Sequence, residues 1–546
     1  VEKSTSEGRR RRTRIALPVA AAAVAAVAAV VFTRVAGAAP AVPEPTLTPP
    51  GYTTLASGEL ERRVAGALGA APSPSPSARS TATGSSAPWL AQLWYHDDRG
   101  TPAKTDDVSF FCAGTVVAPT KILTAAHCVK GYNWYAYGAV VTGTTDLPTS
   151  GTRGANLHGG TASLPLRQFY DPAYNPDTSD NDIAVLTLDA PVRATPIRLT
   201  TSTDTAAYAP GTAARTFGWG HTRAATLPIR PDADCARQQD FVPGHMVCTG
   251  GTARPEPGAP LVVGDRVVGV AAADGRFLEV RHYLGPVRAR IDDSNFSRDH
   301  RADVFVRRSE DDLGYFKASK GSTLDNRDEV GNWGAAELVL QTDLDRDGFQ
   351  DLLWRRADDG AVFLAHYAPS AKTWRTTKLP GDWASRTRLV APGDVTGDDL
   401  PDLLSVDSAG VLWIHPGNGD GTFAAQVKVG PGWNRYDAVV GHGDFSGDGK
   451  PDLVTRSEDG HHLYLHPGTG AAGPDAFAPR IKVRTWPDYD LLDAVGDVNG
   501  DSRADLLARD HDGTLWLYKG TGKASPEIFA TRVPAAPDFD QYDLLG

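Results

Sequence analysis

Five nine-residue segments of one pattern recur through the second half of the 546-residue chain, and they restrict its fold more than any other feature. The strong copies are Asp343-Leu-Asp-Arg-Asp-Gly-Phe-Gln-Asp351, Asp394-Val-Thr-Gly-Asp-Asp-Leu-Pro-Asp402, Asp444-Phe-Ser-Gly-Asp-Gly-Lys-Pro-Asp452 and Asp497-Val-Asn-Gly-Asp-Ser-Arg-Ala-Asp505. A weaker copy, Asn295-Phe-Ser-Arg-Asp-His-Arg-Ala-Asp303, opens the series. Their last positions succeed one another at a period of about fifty residues, the size of one repeated supersecondary unit. Each segment leads into an apolar run, a polar turn and a second run such as Leu412-Trp-Ile414, Leu463-Tyr-Leu465 or Leu515-Trp-Leu517, so each unit reads as strand, turn, strand. The first, third, fifth and ninth positions carry oxygen: Asp343, Asp345, Asp347 and Asp351; Asp394, Thr396, Asp398 and Asp402; Asp444, Ser446, Asp448 and Asp452; Asp497, Asn499, Asp501 and Asp505. The weaker copy offers Asn295, Ser297, Asp299 and Asp303. Such a set suits a hard cation wanting six to eight oxygens, which points to Ca²⁺; Zn²⁺ would want the His or Cys that do not recur in these loops. A single loop of this kind reads as a solvated acidic turn, whereas recurrence at one period favours the metal.

The pattern resembles the FG-GAP/VCBS repeats, also found in integrin α-chain propellers, over about residues 292–546. The resemblance implies a calcium-binding β-propeller that engages other molecules. Tyr542-Asp-Leu-Leu-Gly546 repeats the strand that precedes earlier loops, as in Tyr489-Asp-Leu-Leu492, but has no loop after it. It is therefore expected to complete the first blade of a five-bladed ring and remove an exposed edge. Trp333, Trp383, Trp433 and Trp486 recur before each new blade and are expected to pack rather than to present sugar platforms.

The preceding stretch, about Trp89 to Ile291, has short β-rich runs that read as a sandwich or barrel. Within it stand Phe111-Cys-Ala-Gly-Thr-Val-Val117, Ile122-Leu-Thr-Ala-Ala-His-Cys128, Asn181-Asp-Ile-Ala-Val-Leu186 and Phe217-Gly-Trp-Gly220. These strings resemble the trypsin family of chymotrypsin-fold serine proteases. The resemblance implies a double β-barrel, His127 as general base, Asp182 as the buried carboxylate that fixes its tautomer, and bridges Cys112–Cys128 and Cys235–Cys248. It breaks down at Pro255-Glu-Pro-Gly-Ala-Pro260, where Pro257 stands in the nucleophile's place. Proline has no hydroxyl to attack a carbonyl carbon. The two oxyanion donors align with Pro255 and Pro257, and proline has no N–H. Glu256 replaces the usual aspartate, Ala253 the cysteine of a third bridge, and Ala271 to Asp274 the substrate edge; Gly251 falls at the base of the specificity pocket. Another serine as nucleophile is the alternative to a dismantled centre.

At the start of the chain, Arg9 to Arg14 precede an apolar run from Ile15 to Phe32 and the small residues Ala36 to Ala39. That is the layout of a secretory signal over residues 1–38, an uncleaved anchor being the alternative. Residues 39–86 read as a Pro/Ala/Ser-rich linker or propeptide with one short helix near Gly58–Gly69 on which no chemistry depends. A trypsin-like domain at 87–291 and the repeat propeller at 292–546 complete an all-β architecture. With 55 basic against 66 acidic residues the net charge is −11, which argues against nucleic acid. The expected protein is exported, holds no stable place in a membrane once its signal is cleaved, lacks the serine nucleophile, and uses a calcium-stabilised propeller to bind an extracellular protein or polysaccharide. An active secreted serine endopeptidase with a targeting propeller is the alternative.

Overall fold

The computed structural model describes Pro45, residues 55–70, 87–101, 105–219, 224–297, 301–368, Ala371 and residues 373–546. The signal expected at 1–38, Gly220 and Asp299 lie outside them. Two sheets form the half-barrels of a chymotrypsin-like domain. In the first, strands run in the order Thr161–Ser163, Gly138–Thr142, Leu90–Asp97, Val108–Ala118, Lys121–Thr124, Ala184–Leu188, Pro165–Tyr170. The second orders Ala224–Pro228, Ala213–Phe217, Pro260–Val263, Arg266–Ala271, Phe277–Glu279 and Met246–Val247, with Arg198–Leu199 paired to Arg266–Ala271. One apolar cluster runs from Leu93 and Ile122 through Leu186 to Val268 and Leu278, so both halves share a core. Disulfides join Cys112 to Cys128 and Cys235 to Cys248, as the resemblance implied.

The stretch read as linker contains a fourteen-residue helix, Ser57–Ala70, that belongs to the first half-barrel. Leu60, Val64 and Ala67 share one helical face and are buried against Trp94, Ala139, Val141 and Leu164. Arg63 donates from Nη1 to the carbonyls of Tyr135 and Gly138, each at 3.0 Å. The helix is too short to be stable alone. Burying a Leu or Val on the barrel contributes about 1.5–3 kcal/mol apiece, a gain invisible in the composition of the segment itself.

Five four-stranded sheets follow, their innermost strands set side by side from the first blade through the fifth. The innermost strands are Tyr542–Leu545, Ala336–Thr342, Arg386–Gly393, Tyr436–Val440 and Tyr489–Gly496. The first of these comes from the far end of the chain and pairs with Val304–Arg308, closing the ring as expected. Trp333, Trp383, Trp433 and Trp486 are all buried, confirming their packing role.

An arginine ties each blade to the next. Arg307 reaches the carbonyls of Trp333 and Ala336; Arg355 that of Arg386 at 2.7 Å; Arg388 that of Tyr436 at 2.8 Å; Arg456 that of Tyr489; and Arg509 that of Tyr542 at 2.6 Å. Four of these guanidiniums also pair with a carboxylate at the start of their own blade's innermost strand: Asp543, Glu337, Asp437 and Asp490. The chain therefore carries a circle of charge-assisted latches on the side where the innermost strands begin.

The four strong nine-residue loops follow the other ends of the innermost strands of blades two to five and face the trypsin-like domain. Residues 44–546 form one compact unit. Its joint is built on charged pairs: Arg288 donates to Asp399 at 2.9 Å and to the Gly449 carbonyl at 2.9 Å, while Arg290, 2% exposed, pairs with Asp497 and stacks on Phe169. Lys121 and Arg167 from the barrel meet Asp293 at 3.7 and 3.0 Å.

Candidate functional sites: a histidine–aspartate pair and a ring of carboxylate loops

His127 sits in a 3₁₀ turn, Ala126–Cys128, directly after strand Lys121–Thr124, and the Cys112–Cys128 bridge holds that turn to the neighbouring strand. Asp182 is fully buried behind it and accepts three hydrogen bonds: from His127 Nδ1 at 2.7 Å, from the His127 backbone N–H at 2.8 Å and from Ala273 N–H at 3.3 Å. A carboxylate at Nδ1 selects the tautomer with its proton there, leaving Nε2 as the accepting nitrogen. The side chain of His127 is 20% exposed.

The segment read as the nucleophile's turn runs from a buried Pro255 through Glu256 and Pro257 to Gly258. Ala113 N–H donates to the Pro257 carbonyl at 2.7 Å, and Gly258 N–H to that of Ala271 at 2.8 Å. Gly258 has φ +81°, and a Cβ there would lie 2.2 Å from the Ala113 carbonyl oxygen, so the turn is locked against the first half-barrel. At the edge formed by Ala271–Asp274, Arg276 pairs with Asp274 and donates to the Gln239 carbonyl at 2.7 Å.

In three strong loops the first aspartate accepts backbone N–H groups from the fourth, fifth and sixth positions: Asp394 from Gly397, Asp398 and Asp399; Asp444 from Gly447, Asp448 and Gly449; Asp497 from Gly500, Asp501 and Ser502. In the remaining strong loop Asp343 accepts from Gly348 at 2.9 Å. The ninth residue works from inside. Asp351, Asp402 and Asp452 each accept from the backbone of the second and third loop residues, and Asp505 from that of Asn499. Asp402, Asp452 and Asp505 also accept N–H from Gly417, Gly468 and Gly520 at 3.0, 2.8 and 2.9 Å. The ninth carboxylate thus shapes the loop as well as contributing oxygen to it.

The loops are not equivalent. Ligand-type oxygens of Asp343, Asp345 and Asp347 lie within 4.8 Å of one another, as do those of Asp444, Asp448 and Asp452. His366, which sequence reasoning missed, joins Asp345 and Asp351 in the first group. In the Asp497 loop, Asn499 instead turns its amide nitrogen onto Asp505 at 2.9 Å. In the weaker copy, Ser297 donates its hydroxyl to Asn295 at 3.4 Å and its backbone N–H to Asp303.

The burial of these carboxylates fits a cation. Asp343 Oδ1 and Asp351 Oδ1 are buried with no hydrogen-bond partner, an arrangement that costs free energy unless a positive charge meets them. Burial and then the neighbouring aspartates push Asp343 and Asp351 well above the usual carboxylate range and Asp347 to about 8; burial, then Asp394, takes Asp402 to about 7.

Sequence reasoning also missed Arg288, Arg290, Lys121 and Arg167 as neighbours of the loops. Their charges were plain, but only the docking of the two halves brings them there.

Two half-barrels around a histidine–aspartate pair define the chymotrypsin-fold class. A family model described as Trypsin matches residues 77–278, and one described as FG-GAP-like repeat matches 343–405 and 394–455. A trypsin from Saccharopolyspora erythraea is 36% identical over 185 residues, covering 31% of this chain and 77% of that protein. Kallikrein-14 of Homo sapiens is 28% identical over 219 residues, 35% of this chain and 71% of its own. Glucanase inhibitor protein 4 of Phytophthora infestans is 27% identical over 178 residues, 29% of this chain and 64% of its own. The chain belongs to the trypsin family, and it carries an FG-GAP-like five-bladed propeller behind the trypsin-like domain.

Proposed function

We propose that this is an exported trypsin-fold protein that does not cleave peptides, and that its propeller, stabilised by Ca²⁺, is the part that binds an extracellular protein or polysaccharide. The observation that carries the reading is Pro257 in the nucleophile's place, two residues after Pro255. Acyl transfer needs a side-chain nucleophile and donors aimed at the developing oxyanion. His127 and Asp182 are poised to take and stabilise a proton, with no hydroxyl at position 257 to supply it. Two disulfides agree with an oxidising compartment. The similarity to proteins named glucanase inhibitors agrees with a trypsin fold kept for binding.

In this reading Asp343, Asp345, Asp347, Asp351, Asp444, Asp448 and Asp452 hold the ions, with Asp394, Thr396, Asp398, Asp402, Asp497, Asn499, Asp501 and Asp505 in the less clustered loops. When bound, Ca²⁺ supplies positive charge that cancels the repulsion among these groups. The competing reading, an active secreted endopeptidase, is favoured by the 2.7 Å His127–Asp182 contact and by the identity to a trypsin. Incubating the purified protein with casein and with a fluorophosphonate probe decides between them. No turnover and no labelling are expected; proteolysis abolished by His127→Ala would establish the endopeptidase.

A further inference from the structure

One of the four strong loops is built differently from the other three. We propose that the Asp343 loop holds Zn²⁺ through Asp345, Asp351 and His366, while the other strong loops keep to calcium. This rests on the reading of the loops as cation sites and changes the ion at one of them.

The difference begins in the sequence and is completed by the fold. At the third loop position Asp345 carries a carboxylate where the others have Thr396, Ser446 and Asn499. The strand after the polar turn in this blade, Val362–Ala368, runs on past the point where its counterparts stop, at His415, His466 and Tyr518. Ladder pairs align Leu364 with Ile414, Leu465 and Leu517, so His366 stands where the others have Pro416, Pro467 and Lys519. Proline cannot donate to a ladder. In this blade the ladder continues, pairing His366 with Arg375 and Tyr367 with Trp374.

The extended strand has two consequences. It brings His366 Nδ1 to 3.1 Å from Asp345 Oδ2. It also puts Tyr367 in place of the glycine whose N–H engages the ninth carboxylate elsewhere. Asp402, Asp452 and Asp505 each give Oδ1 to that N–H, from Gly417, Gly468 and Gly520, whereas the fully buried Asp351 Oδ1 has no hydrogen-bond partner. Asp343 likewise accepts from Gly348 at 2.9 Å and leaves Oδ1 unpartnered. The barrel holds this loop in place: Thr120 is seated on Gly348, with no room there for a Cβ, and Arg346 donates to the Val117 carbonyl at 3.1 Å.

One ligand-type atom from each of Asp345, Asp351 and His366 lies within 4.8 Å of the other two. Three protein ligands of mixed nitrogen and oxygen, with a position left for water, suit Zn²⁺, whereas Ca²⁺ draws its ligands from oxygen alone. An imidazole nitrogen and a carboxylate oxygen 3.1 Å apart are spaced like neighbouring ligands of one ion with bonds of about 2.0–2.1 Å. Without metal, Nδ1–H donates to Asp345. On binding, the ion takes that place: the Nδ1 proton leaves to solvent, the ring keeps its proton on Nε2, and the buried Asp351 oxygen meets a positive charge.

The test is equilibrium dialysis of the full-length chain, stripped with chelator, against micromolar Zn²⁺ in the presence of millimolar Ca²⁺, with both metals counted by atomic emission. About one Zn²⁺ per chain is expected to stay beside calcium, matching the single loop that carries a histidine. His366→Gln, at a side chain 32% exposed, should weaken zinc retention by at least about tenfold and leave the calcium count of the other loops unchanged. X-ray absorption at the zinc edge of the loaded wild-type chain should show an imidazole among oxygen neighbours, so a poorly folding variant does not decide the matter. Zinc expelled by excess Ca²⁺, zinc held equally by His366→Gln, or an edge without imidazole overturns the assignment and leaves the calcium reading intact. Zinc retained without any calcium upholds this site and overturns the calcium reading; neither metal bound overturns both.

Discussion

If the proposed reading holds, Pro257 and Pro255 remove different things, and their separate effects can be measured. On the proposed reading, Pro257→Ser supplies a hydroxyl at the nucleophile's position and one backbone N–H, while Pro255 still withholds the second oxyanion donor. One missing donor typically costs a hundredfold or more in rate, so Pro257→Ser alone is expected to stay at least about a hundredfold below the rate of Pro255→Gly with Pro257→Ser in a peptide-ester assay. Two buried histidines offer a second prediction at this scale. His415 donates to or accepts from Ser405 at 2.8 Å and His466 from Thr455 at 3.0 Å, each packed on the tryptophan of a blade boundary. Burial, then Arg386 or Arg480, lowers their pKa to about 4 and about 3. The folded state binds fewer protons than the unfolded one below the ordinary histidine value of about 6.5. Stability is therefore complete above that value and falls as pH drops towards 4. His466→Gln should flatten this slope in chemical denaturation between pH 6.5 and 4, values set by the shifts just given.

The loops, the latches and the early helix belong to the scale of elements. Arg509 holds the fifth blade to the closing strand through Tyr542 while pairing with Asp490, so Arg509→Met breaks a charged hydrogen bond at the ring's seam. A loss of about 1.5–3 kcal/mol is expected, read as a lower denaturation midpoint of the propeller. Leu60→Ala, on the helix that covers the first half-barrel, should cost about 2–5 kcal/mol in the trypsin-like domain if helix and barrel unfold together. The latch had a readable sign in retrospect: Arg307, Arg355, Arg456 and Arg509 each stand four residues after the loop's ninth aspartate, with Val406 as the exception and Arg388 taking its place. Its meaning was hidden, because an arginine in a strand acquires a role only when the next blade's carbonyls arrive beside it. The helix was hidden for a related reason: Leu60, Val64 and Ala67 are too few to form a core, and their partners lie on another element.

At the scale of the whole molecule, charge decides behaviour. Without a cation, the raised carboxylates of the loops bind protons more tightly folded than unfolded. The propeller should accordingly lose stability as pH rises from about 4, the ordinary carboxylate value, through about 8. Ca²⁺ should reverse that trend. At a hundred times its dissociation constant, an ion bound by the folded state alone adds about 2.7 kcal/mol per site. Scanning calorimetry with and without chelator, at pH 5 and pH 8, checks both the sign and the calcium dependence predicted from these shifts. An equal response at both pH values, or none to chelator, would reduce the loops to acidic turns.

The all-β class, the two halves, the disulfide pairs, the five blades and the closing strand were all written in local patterns and in resemblance. Each of those features repeats a short-range rule: alternation in strands, fixed spacing in loops, a motif around a histidine. The placement of helix Ser57–Ala70, the latch circle, His366 beside Asp345 and the seating of Thr120 on Gly348 were decided only in three dimensions. They join residues tens to hundreds of positions apart, and no periodicity in a chain encodes which surface a folded half will present to the other. The four strong loops read as equals from sequence because they share ligand chemistry. Tertiary structure distinguishes them, because burial and a neighbour's charges, unlike side-chain identity, are properties of the packed molecule.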